Sequence, residues 1–233
     1  MTASPSDAFA AALPRRLVAE GLATAFLLAI IVGSGVMAER LAGGNRALAL
    51  LANSLASGAG LTALILAFGP VSGAHMNPVV TLTEAFRRAL PWASVPGYVA
   101  AQFAGAFCGV ATAHAMFDLP VFTVSQHART GAGQVFGEFV ATFGLIVVIR
   151  GASRLGLPAV ASVVGLYIFA AYWFTSSTSF ANPAVTIARA LSDTFVGIRP
   201  SDVPGFWAGQ AAGGLAAAAF PGWLGPAEPR RRS

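Results

Sequence analysis

Long apolar stretches alternate with short polar ones along this chain. Each apolar stretch holds about 20 residues, the length of α-helix that crosses the hydrocarbon core of a bilayer. We place the stretches at 16–38, 47–69, 95–117, 134–152, 157–176 and 203–224. The pattern predicts an all-α membrane protein with six transmembrane helices.

Two polar stretches, 70–76 and 176–181, lie between predicted spans, and each leads into an Asn-Pro dipeptide. Asn is a favoured helix N-cap and Pro a favoured first helical residue, so Asn77-Pro78 and Asn182-Pro183 predict helix starts. The helices that follow, at 77–88 and 182–192, cover about half of a membrane. Because irregular backbone at membrane depth is tolerated only beside a cavity or inside the protein, we expect two re-entrant half-helices that line a passage.

The two halves of the chain repeat the same markers in the same order. A Glu-x-x-x-Thr pattern, the Asn-Pro dipeptide and a Val-Pro-Gly triplet each occur twice, beginning at Glu20 and Glu138, at Asn77 and Asn182, and at Val95 and Val203. Three spans per copy is an odd number, so the second copy is expected to be inverted. The predicted segments are a cytoplasmic tail 1–14, a first repeat 15–117, a connecting loop 118–132, a second repeat 133–224 and a cytoplasmic tail 225–233.

Composition supports a membrane protein and argues against other classes. Hydrophobic residues make up 56% of the 233 residues and charged residues 10%, with a mean hydropathy of +0.70. All 14 basic residues are arginine. If the N-terminus is inside the cell, most of them lie on the cytoplasmic side of the membrane, as the positive-inside rule requires. We therefore predict a multi-pass protein of the cell inner membrane with both termini in the cytoplasm, and no nucleic-acid partner.

Residues for chemistry are scarce. The sequence offers no pairing of a nucleophile with a base and no metal-ligand cluster, so we predict no enzymatic activity, catalytic residue, metal or cofactor. The single cysteine, Cys108, lies in an apolar run and is predicted to be buried.

The half-helix starts supply the chemistry of a pore. A capping Asn accepts from the first helical turn through its oxygen and keeps its amide NH2 as a donor. Each helix start also carries about +0.5 of a charge, so two facing starts repel cations and protons while donating to neutral polar molecules. The predicted pore midplane consists of Asn77, Pro78, Val79, Asn182, Pro183 and Ala184.

These motifs resemble the aquaporin superfamily of water and glycerol channels over nearly the whole chain. The match includes the Ser72-Gly73-Ala74-His75-Met76-Asn77-Pro78 loop and the Asn182-Pro183-Ala184 triplet. The resemblance implies a homotetramer in the lipid bilayer in which every protomer has its own pore.

The chain departs from this family at two positions, Val79 for the usual Ala and Val185 for the usual filter Arg. Family spacing places the outer selectivity filter at Ser57, Ala170, Ser179 and Val185. Because the length of the loop before Asn182 shifts this alignment by one or two residues, Phe180 is an alternative to Ser179, and Ile168 or Ala171 is an alternative to Ala170 on the fifth span. Such a filter would be wide and without a fixed cation. This similarity to Arg-less aquaglyceroporins associated with bacterial arsenic resistance implies passage of water, glycerol, urea and metalloid acids such as arsenous acid.

Arg189 and three other polar residues have two interpretations each. Arg189 follows Val185 by one helical turn, and we favour a side chain that extends to the membrane interface over one in the pore mouth. Glu20 and Glu138 are expected to support the loops through backbone hydrogen bonds, and His75 either lines the pore or supports its loop. The alternative function is a secondary transporter coupled through Glu20 or Glu138, since broken helices and inverted repeats occur there too.

Overall fold

The computed structural model describes residues 11–220, and these residues form eight α-helices with no β-strand among them. The helices are α1 Leu13–Leu41, α2 Arg46–Ser72, α3 Pro78–Phe86, α4 Val95–Met116, α5 Ala132–Ala152, α6 Leu157–Phe174, α7 Pro183–Arg189 and α8 Val203–Ala219. The predicted tail 225–233, and residues 1–10 of the predicted tail 1–14, lie outside the described residues.

Five helical segments are long and apolar enough to cross a membrane. They are Leu13–Leu41, Arg46–Ser72, Trp92–Met116, Ala132–Leu155 and Leu157–Phe174. The sixth predicted span corresponds to α8, which has 17 residues, and its predicted end at 221–224 falls outside the described part of the chain.

The two half-helices, α3 and α7, are shorter than the sequence predicts. They have nine and seven residues, so the predicted ends at 88 and 192 are wrong. After α3 the backbone of Arg88 enters the left-handed region at φ 61°, which an α-helix cannot continue through. After α7 the chain makes tight turns, in which the Ser192 N–H donates to the Arg189 carbonyl.

Glycines bring the long helices of each half into close contact. A Cβ at Gly105 or Gly109 of α4 would lie 2.2 Å from a backbone oxygen of α1. A Cβ at Gly209 or Gly213 of α8 would lie 2.4 Å from a backbone oxygen of α5. The same small-residue packing therefore recurs in both halves, as expected for a repeat.

The outer surface of the bundle is apolar, and Cys108 belongs to it. Leu22, Phe26, Leu55 and Leu166 are exposed there, each by at least half of its surface. Cys108 is exposed as well, so the prediction that it is buried is wrong. An apolar run does not distinguish a lipid-facing side chain from a buried one, because lipid is as apolar as the protein interior.

Candidate functional site

The start of α3 and the start of α7 meet inside the helix bundle, each capped by its asparagine. The Asn77 side-chain oxygen accepts from the Val79 N–H at 2.9 Å. The Asn182 side-chain oxygen accepts from the Ala184 N–H at 3.0 Å and the Val185 N–H at 3.3 Å. Both helix starts therefore present the partial positive charge of their first turn toward the same place.

The two asparagines also join the halves of the chain. Asn77 Nδ2 donates to the Ala181 carbonyl at 2.7 Å, and Asn182 Nδ2 donates to the Met76 carbonyl at the same distance. Met76 and Ala181 both have φ 49°, which turns their carbonyls toward the opposite loop. The sequence predicts that the whole NH2 group of each asparagine is free. Instead one N–H of each binds the other loop, which leaves one N–H per amide for the lumen.

Buried glutamates hold the two loops in this conformation. Glu20 Oε1 accepts from the His75 N–H and Oε2 from the Met76 N–H, both at 2.8 Å. Glu138 accepts from the Phe180 and Ala181 N–H groups, also at 2.8 Å. Gln102 and Gln210 donate to the same two carboxylates at 2.8 Å and 2.6 Å. Every oxygen of both carboxylates thus has a donor.

A narrow cavity of about 50 Å³ passes between the two asparagines. That volume is large enough for water, since a cavity needs about 10–15 Å³ to hold one molecule. The cavity wall is mostly apolar and includes several residues predicted for the filter or the midplane, namely Asn77, Asn182, Ser57, Ser179 and Val185, together with Ile168, Phe180, Tyr172 and Arg189.

Five residues predicted for the filter or the midplane do not line the central cavity. Ala170 is exposed on the outside of α6 and does not line the cavity, so this assignment is wrong. Pro78, Val79 and Pro183 line an apolar groove on the side of the bundle where Trp207 lies. Ala184, the remaining midplane residue, is fully buried. Of the predicted midplane residues, only the asparagines line the central cavity.

Tyr172 is a wall residue that the sequence analysis missed. Its hydroxyl donates to Ser57 Oγ at 3.1 Å, which links α6 to α2 beside the cavity. Tyr172 follows Ile168 by four residues, and positions four apart share a helix face. That spacing was the available signal, but the apolar character of α6 all round hides which face points inward.

Arg189 lines the central cavity, although it lies four residues after the predicted filter position Val185. It is 1% exposed, and its guanidinium carbon lies 3.4 Å from the centroid of the Phe180 ring. The prediction that Arg189 extends to the membrane interface is therefore wrong, and its cation lies in the wall of the cavity that Ser57, Ser179 and Val185 also line. The side chain of a helical residue tilts toward the helix N-terminus, which brings Arg189 back toward Val185.

Two larger cavities adjoin the central one, one at each end. The arginine vestibule, of about 180 Å³, is lined by Arg46, Asn53, His127, Arg129, Thr178 and Arg189, among others. The opposite vestibule, of about 270 Å³, is lined by His75, Val80, Glu84 and Arg87, among others. Arg189 belongs to the walls of the first vestibule and the central cavity, and His75 to those of the second and the central cavity. The three cavities therefore lie in series through the bundle.

His75 has both of the features that the sequence left open. It lines two cavities, and it is fixed in its loop, because its ring Nδ1 lies 3.1 Å from Thr81 Oγ1.

Comparison with known proteins places this arrangement in a family. The sequence profile described as Major intrinsic protein matches residues 8–155 of the chain. This chain belongs to the major intrinsic protein family. The six helices, the paired half-helices and the opposed asparagines are thus the family fold.

Individual relatives agree with this assignment. The chain is 51% identical over 218 residues to aquaglyceroporin AqpS of Rhizobium meliloti (strain 1021), and the aligned region covers 93% of each protein. It is 34% identical over 204 residues to aquaporin NIP2-2 of Zea mays, and the aligned region covers 84% of this chain and 68% of the maize protein. The X-ray structure of the aquaglyceroporin from Plasmodium falciparum matches with a TM-score of 0.74 at 20% identity, covering 90% of this chain and 95% of that one, a likeness of fold.

Family membership settles the class of the protein. It is a multi-pass membrane channel for water and small solutes, and it is not an enzyme. The secondary-transporter alternative also lacks structural support, since every carboxylate oxygen of Glu20 and Glu138 already accepts a hydrogen bond within the described residues.

Proposed function

We propose that the three cavities conduct water and small uncharged solutes passively, among them glycerol, urea and metalloid acids such as arsenous acid. The observation that carries the proposal is the pair of opposed asparagine caps in the wall of the central cavity. Each amide keeps one N–H for a passing oxygen, and the two helix starts make the midplane electropositive. A neutral solute can exchange its hydration for these donors, whereas a cation meets a barrier.

Val185 is the basis for proposing solutes larger than water. The apolar wall formed by Leu27, Ile31, Ile168 and Val185 suits the carbon face of a polyol. Arg189 is held to one side, because its Nε donates to the Val196 carbonyl at 2.5 Å and its guanidinium stacks on Phe180. The widened filter stays a prediction, which the comparison of solutes below tests.

The remaining assignments rest on sequence patterns and on the resemblance. We propose Ser57, Ser179 and Val185 as filter residues, and Glu20, His75 and Glu138 as supports of the two loops. The arginine distribution supports an inner-membrane location with both termini in the cytoplasm, which makes the arginine vestibule periplasmic. The family resemblance supports a homotetramer.

Stopped-flow light scattering on proteoliposomes tests the proposed solutes. We expect faster osmotic shrinkage than in protein-free liposomes, followed by faster re-swelling when the osmolyte is glycerol, urea or arsenous acid. The rates should vary weakly with temperature and rise linearly with the gradient, because a channel has no saturable carrier cycle.

Three outcomes distinguish the alternatives. Flux of water without glycerol or arsenous acid would contradict the widened filter but not the channel. Saturable flux driven by a proton or sodium gradient would indicate a transporter. Rates equal to those of protein-free liposomes would contradict any conducting passage.

A further inference from the structure

The arginine vestibule carries a concentration of positive charge that conduction of neutral solutes does not require. Arg46 comes from the start of α2, Arg129 from the loop between α4 and α5, and Arg189 from the end of α7. His127 adds a fourth nitrogen base to the same wall. None of the residues that line this cavity is acidic.

These arginines are not neutralised by ion pairs within the described residues. The ion pairs found between 11 and 220 involve Arg87 with Glu84 and Arg199 with Asp202. Asp193, the carboxylate that acts on His127 from the same end of the bundle, accepts from the Gln126 N–H. Glu138 acts on Arg129 and Arg189 from a distance, but its carboxylate already accepts from the Phe180 and Ala181 N–H groups, so it forms no ion pair with either arginine within the described residues.

One donor in this wall lacks a partner. Arg189 Nη1 is fully enclosed and has no hydrogen-bond acceptor among the residues that the structure describes, although its Nε is bound to the Val196 carbonyl. A buried donor without a partner costs free energy, and a charged donor costs more. Arg189 thus places a buried charge in the cavity wall whose hydrogen-bonding capacity the described residues do not fill.

Arg129 is held rigidly at the cavity wall. Its Nε donates to the Gly197 carbonyl at 2.7 Å, and its Nη1 lies 3.3 Å from both the Ser177 carbonyl and Thr178 Oγ1. Its guanidinium carbon lies 4.9 Å from the Phe180 ring centroid, over the ring that Arg189 also contacts. Two guanidinium groups are thus fixed around one aromatic ring before any ligand binds, which lowers the entropy cost of binding.

The pKa values of His127 and Arg129, which lie in the loop between α4 and α5, are lowered in this wall. Burial and the nearby Arg129, Arg189 and Arg46 lower the pKa of His127, against a smaller opposing effect of Asp193. Burial lowers the pKa of Arg129 to about 10, which leaves its guanidinium charged at neutral pH.

We propose that the arginine vestibule is a binding site for a small oxyanion, with a one- or two-carbon carboxylate as the ligand class. Guanidinium groups donate charge-assisted hydrogen bonds to carboxylate oxygens, and these bonds are directional, whereas the attraction to a spherical ion is not. The cavity of about 180 Å³ holds such an anion with a few water molecules. The site does not depend on which neutral solute the channel conducts.

Formate labelled with ¹³C is the probe, and its NMR line width in the presence of the detergent-solubilised protein is the measurement. At pH 7 and constant ionic strength we expect saturable broadening that unlabelled formate reverses. Arg189→Leu should weaken binding by about tenfold or more, since it removes the buried charged donor. Arg46→Gln, at an exposed position that tolerates the change, should weaken it by about threefold.

Arg40→Gln is the matched control. It removes the same charge from the same end of the bundle, but Arg40 binds the Phe117 carbonyl and does not line the vestibule. Its formate affinity should equal that of the unchanged protein. Absence of saturable broadening, or equal affinity for all four proteins, would overturn the proposal whether or not Arg189→Leu folds well, because Arg46→Gln tests the same site.

A lipid phosphate has related chemistry and is tested separately. Phosphatidylglycerol added to the micelles should leave formate binding unchanged if the vestibule admits free anions. Loss of formate binding on addition of this lipid would mean that the arginines bind a lipid phosphate, and it would contradict a site for free anions. Neither result bears on solute conduction, which the liposome assay measures by itself.

Discussion

At the scale of single residues, Arg189 is the least expected feature of this channel. Val185 stands where the family resemblance places a filter arginine, yet a guanidinium from one turn later lies in the same cavity wall. It is fixed against Phe180 and the Val196 carbonyl, away from the Asn182 cap. The cavity wall therefore holds a cation even though the residue directly after the Asn182-Pro183-Ala184 triplet is apolar.

Val185→Arg tests what the apolar wall contributes. We expect glycerol and arsenous acid permeability to fall by about fivefold or more, because a second long cation fills the space and adds donors that hold polar solutes. Water permeability should fall less, since water is smaller. Stopped-flow rates of proteoliposomes with equal protein content give the ratio.

Val185→Met is the control for side-chain length without charge. A loss of glycerol flux as large as that of Val185→Arg would attribute the effect to bulk alone. If Val185→Arg leaves every permeability unchanged, Val185 does not belong to the filter.

At the scale of secondary-structure elements, the crossing of α1 with α4 and of α5 with α8 fixes where the half-helices can lie. Gly105 sits against the Gly21 carbonyl, and its counterpart Gly213 sits against the Phe139 carbonyl. These contacts bring Glu20 and Glu138 to the loops, where the carboxylates accept the backbone N–H groups. The glycine contacts thus position the half-helices, although the glycines themselves do not line the cavity.

Gly109→Ala should destabilise the fold. Its Cβ would lie 2.2 Å from the Ala25 carbonyl oxygen, and backbone cannot move aside as a flexible side chain can. We expect a loss of about 1–3 kcal/mol in the free energy of unfolding, as for other overpacked sites. Thermal unfolding of the detergent-solubilised protein measures the change.

Gly133→Ala is the matched control for that substitution. Gly133 lies in the first turn of α5, and a Cβ there meets nothing within 4 Å. Removing backbone freedom at an unobstructed helical position stabilises by roughly 0.5–1 kcal/mol, so the two variants should change stability in opposite directions. Similar losses for both would mean that close helix contact is not what constrains Gly109.

At the scale of the whole molecule, the central barrier exists only because both halves of the chain contribute to it. Asn77 of the first repeat binds the second loop, and Asn182 of the second repeat binds the first. Neither half by itself encloses a cavity or places two helix starts face to face. The proposed barrier to protons and cations therefore depends on both halves together.

Asn182→Asp should weaken that exclusion. The carboxylate can still cap α7, but it cannot donate to the Met76 carbonyl, and it places a negative charge where the two helix starts are positive. We expect the proton leak of proteoliposomes, followed with an enclosed pH-sensitive dye, to rise by about tenfold.

Asn45→Asp makes the same substitution at another helix start. Asn45 caps α2 by accepting from the Leu48 N–H at an exposed end of the bundle, far from the central cavity. Its proton leak should match that of the unchanged protein. A leak in neither variant would contradict an electrostatic barrier at the asparagines.

The sequence by itself determined the helices, the repeat and the two asparagine caps. These depend on local properties: apolar length, the capping preference of Asn-Pro and the recurrence of the same markers in both halves. Because each of them acts within a few residues, the prediction of the fold and of Asn77 and Asn182 as wall residues needed no tertiary information.

Only the tertiary structure decided which side chains line the passage. A helix that is apolar all round gives no sign of its inward face, so Tyr172 was missed and Ala170 was chosen in error. The position of Arg189 depends on Phe180 and Val196, and the arginine vestibule combines residues from α2, α7 and a loop. Such contacts join parts of the chain that no local pattern connects, because packing and not sequence spacing brings them together.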